Sequence, residues 1–176
     1  MIVRQTVEID EGVGELETRL IDFFGAHYDR LIRLAALVCH SQSTVEDAVQ
    51  SALEQAWRRR GTLRNPARLK QWLDQIVVHE AIRVNRRPWW SRLLSGDDAV
   101  ERAPDARADD KAEWISLTVE FRRLPAEQRV ALALHLYAGY AIDQTAQLMG
   151  AGIETTRSRV RLGRQRLRRE LGEERP

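Results

Sequence analysis

Apolar residues return at every third or fourth position along most of this chain, and no segment shows the two-residue alternation of a strand. The first sustained stripe runs through Leu16, Leu20, Phe23, Phe24, His27, Leu31, Leu34 and Val38 and predicts a long amphipathic helix. Residues 1–15 are acidic and weakly patterned, which predicts a frayed lead-in. Ser41, Gln42 and Ser43 end that helix, and Ser43 stands three residues before Glu46, the spacing of a capping box. Val45, Ala48, Val49, Ala52, Leu53, Ala56 and Trp57 form the stripe of a second helix, closed by Arg58-Arg59-Arg60-Gly61. Asn65-Pro66 then supplies an N-cap and a proline at the first helical position. The third helix carries Leu69, Trp72, Leu73, Ile76, Val77, Ala81 and Val84 and stops at Arg86-Arg87-Pro88.

From Trp89 to about Asp109 the pattern dissolves into an acidic, alanine-rich stretch broken by Gly96 and Pro104, the composition of a flexible linker. Helical periodicity resumes at Trp114, Ile115, Thr118 and Phe121, and Leu124-Pro125 opens a helix with Val130, Leu134 and Tyr137. Ile142, Thr145, Ala146 and Met149 follow at helical spacing until Gly150-Ala151-Gly152 breaks them, and Ile153, Thr156, Val160 and Leu167 mark a last helix. The predicted fold class is all-α, with two helical domains joined by a flexible acidic linker. Residues 16–90 form a three- to four-helix bundle, 91–109 the linker, and 110–172 a helix-turn-helix domain.

Charge sharpens this picture. The formal net charge of +2 conceals segregation: residues 58–70 hold six basic groups and no acid, while residues 97–113 hold seven acids against three bases. Residues 157–169 hold seven arginines and no acid. A short helix, a glycine turn and a basic second helix specify a helix-turn-helix, whose second helix enters the major groove while its flanks hold phosphates. A flexible acidic segment between two basic faces also predicts that the free protein samples a compact state in which that segment partly screens the arginines, held mainly by electrostatics.

Catalytic chemistry finds no foothold. His79-Glu80 begins a zinc-protease-like string, yet Arg83 stands where the paired histidine is needed. His27, His40, His79 and His135 are scattered singly, and there is neither a glycine-rich phosphate loop nor a serine elbow. A non-enzyme is expected, without cofactor, metal or small-molecule substrate. The single cysteine, Cys39, falls in an apolar stripe and reads as a buried structural thiol. With no signal peptide and no apolar run of membrane-spanning length, the expected location is the cytoplasm, without membrane insertion.

The order of these features resembles the extracytoplasmic-function (ECF) sigma factors. It is carried by VEDAVQSALEQAW at 45–57, WLDQI at 72–76, the acidic linker, LPAEQRVALALHLYAGYAIDQTAQLMG from Leu124, and TTRSRVRLGRQRLRREL from Thr155. It spans about residues 20–171. The resemblance implies a specificity subunit that binds core RNA polymerase, recognises two promoter elements, opens DNA and is held in check by an anti-sigma factor.

It also implies a division of labour. Glu46, Asp47 and Gln50 are the polymerase-docking face, while Trp57, by its place in the apolar pattern, is expected in the core. Arg64, Asn65, Arg68, His79, Arg83, Arg86 and Arg87 are the residues for the minus-ten element, where a melted strand needs cations and a pocket for a flipped base. Trp72 shares a face with Leu69, Leu73 and Ile76 and is expected in the core rather than stacked on a base. Glu154, Thr155, Arg157, Ser158, Arg161 and Arg164 lie on the N-terminal turns of the recognition helix, for the minus-thirty-five element. His79 and Arg83 depart from the family pattern, as do Ala141, Thr145, Ala151 and Thr156, which predict a weak second core. The second reading is a stand-alone helix-turn-helix regulator whose N-terminal bundle senses a ligand or dimerises; it has no use for a docking face at Glu46–Trp57.

Overall fold

The computed structural model describes residues 2–85 and 108–171. These contain seven α-helices and no strand: α1 (Ile2–Val38), α2 (Val45–Arg59), α3 (Leu69–Asn85), α4 (Ala108–Arg123), α5 (Ala126–Leu132), α6 (Ile142–Met149) and α7 (Ile153–Glu170). The expected linker lies outside the described residues except for its last two positions, which are helical. Arg86, Arg87, Trp89 and Trp90 lie outside them as well.

Helix α1 begins at Ile2 instead of near Leu16, which corrects the frayed lead-in. Gly12 and Gly14 each cost about 1 kcal/mol of helix propensity, but no proline interrupts the ladder of N–H donors. The expected capping box at Ser43 is absent. A 3-10 turn over Gln42–Thr44 makes Thr44 the N-cap of α2, and its hydroxyl turns back to donate to the Ser41 carbonyl at 2.8 Å. The Asn65-Pro66 start is as expected: the Asn65 side chain accepts from the Ala67 N–H at 3.0 Å, and a 3-10 turn over Pro66–Arg68 leads into α3.

Helices α1, α2 and α3 form the first unit. On α2, Ala48, Ala52 and Ala56 recur every four residues and are fully buried, so this helix can approach Leu73, Val77 and Ala81 of α3 closely. Each buried leucine or valine here contributes about 1.5–3 kcal/mol. Cys39 sits at the end of this core, its thiol 3.7 Å from the Thr44 carbonyl, and burial pushes it up to about 11. The folded thiol therefore keeps its proton where the unfolded one loses it. This contribution is present below about pH 9 and is lost as pH rises through 11, by at most about 1.4 kcal/mol per pH unit. Denaturant titrations should show wild type losing stability over that window and Cys39→Ala losing less.

The second unit is built on α4 to α7. Helix α5 runs on through a π-helical turn over Ala133–Tyr137. Gly150 closes α6 with φ of 61°, the left-handed C-cap that turns the chain into α7. Thr145 and Thr156 stand at buried positions, and their hydroxyls donate to the Ala141 and Gly152 carbonyls at 2.9 and 3.0 Å, so neither is left unpaired. The N-cap Ala141 lacks a side-chain acceptor, but its N–H donates to the Gln144 side chain at 3.1 Å, one half of a capping box. Helix α7 crosses α5 at Gly163, where an added Cβ would stand 2.9 Å from Leu132 Cδ1 and 3.3 Å from Gln128 Cβ. Gly163→Val should therefore cost about 1–3 kcal/mol through overpacking, read as a lowered thermal midpoint by circular dichroism.

The two units pack on each other, and one apolar core runs through both. The contact is made mainly by buried groups on α1, α3, α4, α5 and the turn before α6, joined by the half-exposed Lys70. At its centre the fully buried carboxylate of Asp74 meets Arg30, Lys70 Nζ at 3.3 Å and the Tyr140 hydroxyl at 2.6 Å. At one end the Arg129 guanidinium lies 3.1 and 3.3 Å from the ring nitrogens of His40.

Candidate functional site

Three faces carry the residues singled out above. The first is the outer side of α2. Glu46, Asp47 and Gln50 are exposed, opposite the buried positions Val45, Ala48, Val49 and Ala52. Glu54 and Trp57 continue the same stripe at three- and four-residue spacing, and Trp57 is 38% exposed. This corrects the core placement expected for Trp57. The buried register ends at Ala56, and Trp57 rotates onto the outer face, where the Arg60 guanidinium lies 5.0 Å from its ring centre. The periodicity of the surface positions 47, 50, 54 and 57 was the available signal.

The second face is the turn before α3. Arg64, Asn65 and Arg68 are exposed and border a cavity of about 380 Å³. Trp72 lines the same cavity and is only partly buried, packing one side against the core and presenting the other to the cavity. The expected core position for Trp72 is therefore half right. Asn65 Oδ1 is occupied by its capping bond, which fixes the turn and leaves the amide NH₂ as its available group. Along α3 the exposed His79 and Arg83 fall on the same stripe as Trp72 and Gln75, and Arg83 Nε donates to Glu80 at 2.5 Å. His79 borders a different cavity, of about 460 Å³, across from Thr155 and Arg159.

The third face is α7. Glu154, Thr155, Arg157, Ser158, Arg161 and Arg164 are all exposed, while Thr156, Val160 and Gly163 turn inward. The arginines of this helix divide by role. Arg159 pairs with Glu127 at 2.6 Å and Arg166 donates to Gln128 at 3.1 Å, so both tie α7 to α5. Arg157, Arg161, Arg164 and Arg168 recur at helical spacing along one groove of about 590 Å³, with His135 on its far wall. Arg157 makes an exposed ion pair with Glu154 one turn before it. Such a row of guanidinium groups is suited to phosphates and guanine edges.

Among the described residues no group of three His, Cys, Asp or Glu is placed to hold a metal ion, and no helix is long and apolar enough to cross a membrane.

Comparison with known proteins gives matches to two family models, Sigma-70 region 2 over residues 23–91 and Sigma-70, region 4 over residues 116–167. The ECF RNA polymerase sigma factor SigM of Mycobacterium tuberculosis is 33% identical over 149 residues, covering 85% of this chain and 75% of that protein. The RNA polymerase sigma-H factor of Pseudomonas aeruginosa is 25% identical over 170 residues, covering 89% and 88%. Among solved structures, the sigma factor RpoE in complex with the anti-sigma factor NepR from Bartonella quintana superposes with a TM-score of 0.64 at 26% identity, over 94% of this chain and 99% of that one. CnrH in complex with the cytosolic domain of CnrY shares the fold, with a TM-score of 0.63 at 18% identity over 89% of each chain.

Proposed function

The chain belongs to the ECF family of RNA polymerase sigma factors, and from that premise we propose how its three faces share the work. The α2 stripe of Glu46, Asp47 and Gln50, extended by Glu54 and Trp57, docks on the clamp helices of the largest polymerase subunit. Arg64, Asn65 and Arg68 capture the melted minus-ten strand, and His79 and Arg83 guide it along α3; Arg86 and Arg87, assigned to the same strand, lie outside the described residues. The exposed side of α7 reads the minus-thirty-five element. In this reading the protein is a non-catalytic specificity subunit of the cytoplasm, and an anti-sigma factor masks it, a partner suggested by the matched sigma factor RpoE, which is in complex with the anti-sigma factor NepR.

The observation that carries this reading is the α2 face. Charged and aromatic side chains stand exposed on a helix whose other side is fully buried, and a stand-alone repressor has no use for them. Run-off transcription with core polymerase on a genomic library tests it: discrete promoter-dependent transcripts are expected, and polymerase-independent DNA binding alone would favour the regulator instead.

On α7, breaking the exposed Arg157–Glu154 pair costs little, which leaves Arg157 available to a guanine edge. Arg157→Ala should relax preference at one position of the minus-thirty-five element, by roughly 1–3 kcal/mol against the wrong base. Arg168→Ala, two turns beyond Arg161, should weaken binding alike on all sequences and flatten its salt dependence. Equal losses on cognate and scrambled duplex for both variants would overturn the assignment.

A further inference from the structure

We propose that His135 is a further promoter contact: as an imidazolium it holds a backbone phosphate of the minus-thirty-five duplex, so that binding of that duplex takes up a proton. The proposal rests on the reading of α7 as the minus-thirty-five helix.

The fold fixes the role of each nitrogen in this ring. His135 stands in the π-helical turn after α5 and is half-buried. Gly139, with φ of 79°, turns the chain so that the Tyr140 carbonyl lies 2.7 Å from His135 Nδ1. A carbonyl oxygen only accepts, so Nδ1 carries a hydrogen and donates it. Nε2 is the nitrogen left for the groove, and its character depends on protonation alone. In the neutral ring it is a bare lone pair; in the imidazolium it is an N–H donor.

The groove that His135 borders suits an anion. Arg157, Arg161, Arg164 and Arg168 line it from α7, Ile142 lines it from α6, and no carboxylate of the described residues does. Glu154 is paired with Arg157, and Asp143 stands exposed beside Ile142. On α5, Glu127 pairs with Arg159, and Arg129 lies against His40. From α1, which packs on the same turn, Asp29, Arg30 and Arg33 act on Tyr137, and none of them lines the groove. A phosphate seated there meets guanidinium groups from one wall and His135 from the other. Its oxygens only accept, so a neutral ring sets lone pair against lone pair, while a protonated ring adds a charge-assisted hydrogen bond. Histidine is the side chain whose charge ordinarily changes between about pH 5 and 8. Of the four in this chain, only His135 belongs to the second unit.

The test is fluorescence anisotropy of a minus-thirty-five duplex with the full-length chain, at about pH 6 and about pH 8. Wild type should bind about tenfold more tightly at the lower pH. Its slope of log affinity against log salt should be steeper there by about 0.9, because one more phosphate is neutralised. His135→Asn keeps an amide donor where Nδ1 stood, so the Tyr140 carbonyl stays bonded, but it lacks Nε2. Its affinity should equal that of wild type at the higher pH and should not change with pH. Calorimetry in two buffers of different ionisation enthalpy should show proton uptake by wild type and none by the variant. If His135→Asn loses helicity by circular dichroism, His135→Gln, a neutral donor nearer the Nε2 position, takes its place and should be equally flat with pH. Equal wild-type affinity at both pH values overturns the proton linkage. A pH dependence that survives in the variant overturns the assignment to His135, and an unchanged salt slope overturns the phosphate contact. Equal affinity for cognate and scrambled duplex would sink the minus-thirty-five reading by itself. Phosphate contacts carry no sequence information, so proton uptake on either duplex would still judge His135. A chain that bound no duplex at either pH would overturn both.

Discussion

Asp47→Arg should leave the helical content unchanged and abolish capture of core RNA polymerase. Asp47 lies in the first turn of α2, exposed, with Ala48 and Val49 beside it carrying the core contacts. Reversing its charge forfeits a favourable interaction with the helix dipole, about 0.3–1 kcal/mol at such a site. That is small beside a domain stability of about 5–15 kcal/mol, so the bundle survives. At a docking surface the same change sets a cation where an anion was matched, and like-charge juxtaposition costs several kcal/mol. A loss of about 100-fold or more in pull-down affinity follows from 2.7 kcal/mol at about 1.4 kcal/mol per factor of ten. Trp57→Ala should also weaken capture without unfolding, since exposed aromatics that become buried are frequent anchors. Run-off transcription at the wild-type level by Asp47→Arg would remove α2 from the docking role.

The helices were legible because burial imposes one period on long segments. Leu31, Leu34 and Val38, then Ala48, Val49 and Ala52, then Leu73, Val77 and Ala81 stand at helical spacing, and all are buried. What periodicity does not carry is where a stripe ends on a helix's circumference. Trp57 follows Ala56 by one residue, and one residue is about 100° of rotation, enough to move an indole from the core to the outer face. Helix starts were read unevenly for a related reason. Asn65-Pro66 names its own geometry, whereas Ser43 competes with Thr44 for one cap and the tertiary packing of the turn decides.

The recognition helix was legible as a basic helix after a glycine turn, but not the division of its arginines. Sequence shows seven guanidinium groups in thirteen residues; only the packing of α5 reveals that Arg159 and Arg166 are tied inward and that four others form one outer row. The buried contact between the units was not legible, and the acidic segment expected to screen the arginines lies largely outside the described residues. Lys70 and Asp74 lie one helical turn apart, but Tyr140 is far from both in the chain, and nothing in a one-dimensional pattern brings a carboxylate at position 74 to a hydroxyl at position 140.

Arg64→Ala combined with Arg68→Ala should remove capture of the melted strand while sparing the other two faces. Both side chains are exposed at the mouth of the cavity beside Trp72, and neither is tied to an acid among the described residues. Neither supports the fold: the cap that shapes this turn is the Asn65 side chain, and the core contact comes from Leu69 and Leu73. Each cation that meets a phosphate of single-stranded DNA contributes about 0.7 to the slope of log affinity against log salt. The double variant should therefore show a slope shallower by about 1.4 on single-stranded minus-ten DNA. Duplex binding at the minus-thirty-five element and capture by polymerase should be unchanged, because α7 and α2 are untouched. On a full promoter, permanganate reactivity of unpaired thymines should disappear while the polymerase footprint upstream persists. Asn65→Asp separates geometry from charge: it keeps the capping acceptor, so the turn stays formed, but it sets a negative charge beside the strand and should weaken single-strand binding alone. If the double variant opened promoters normally and kept the wild-type salt slope, the melted strand would have to run elsewhere on the molecule.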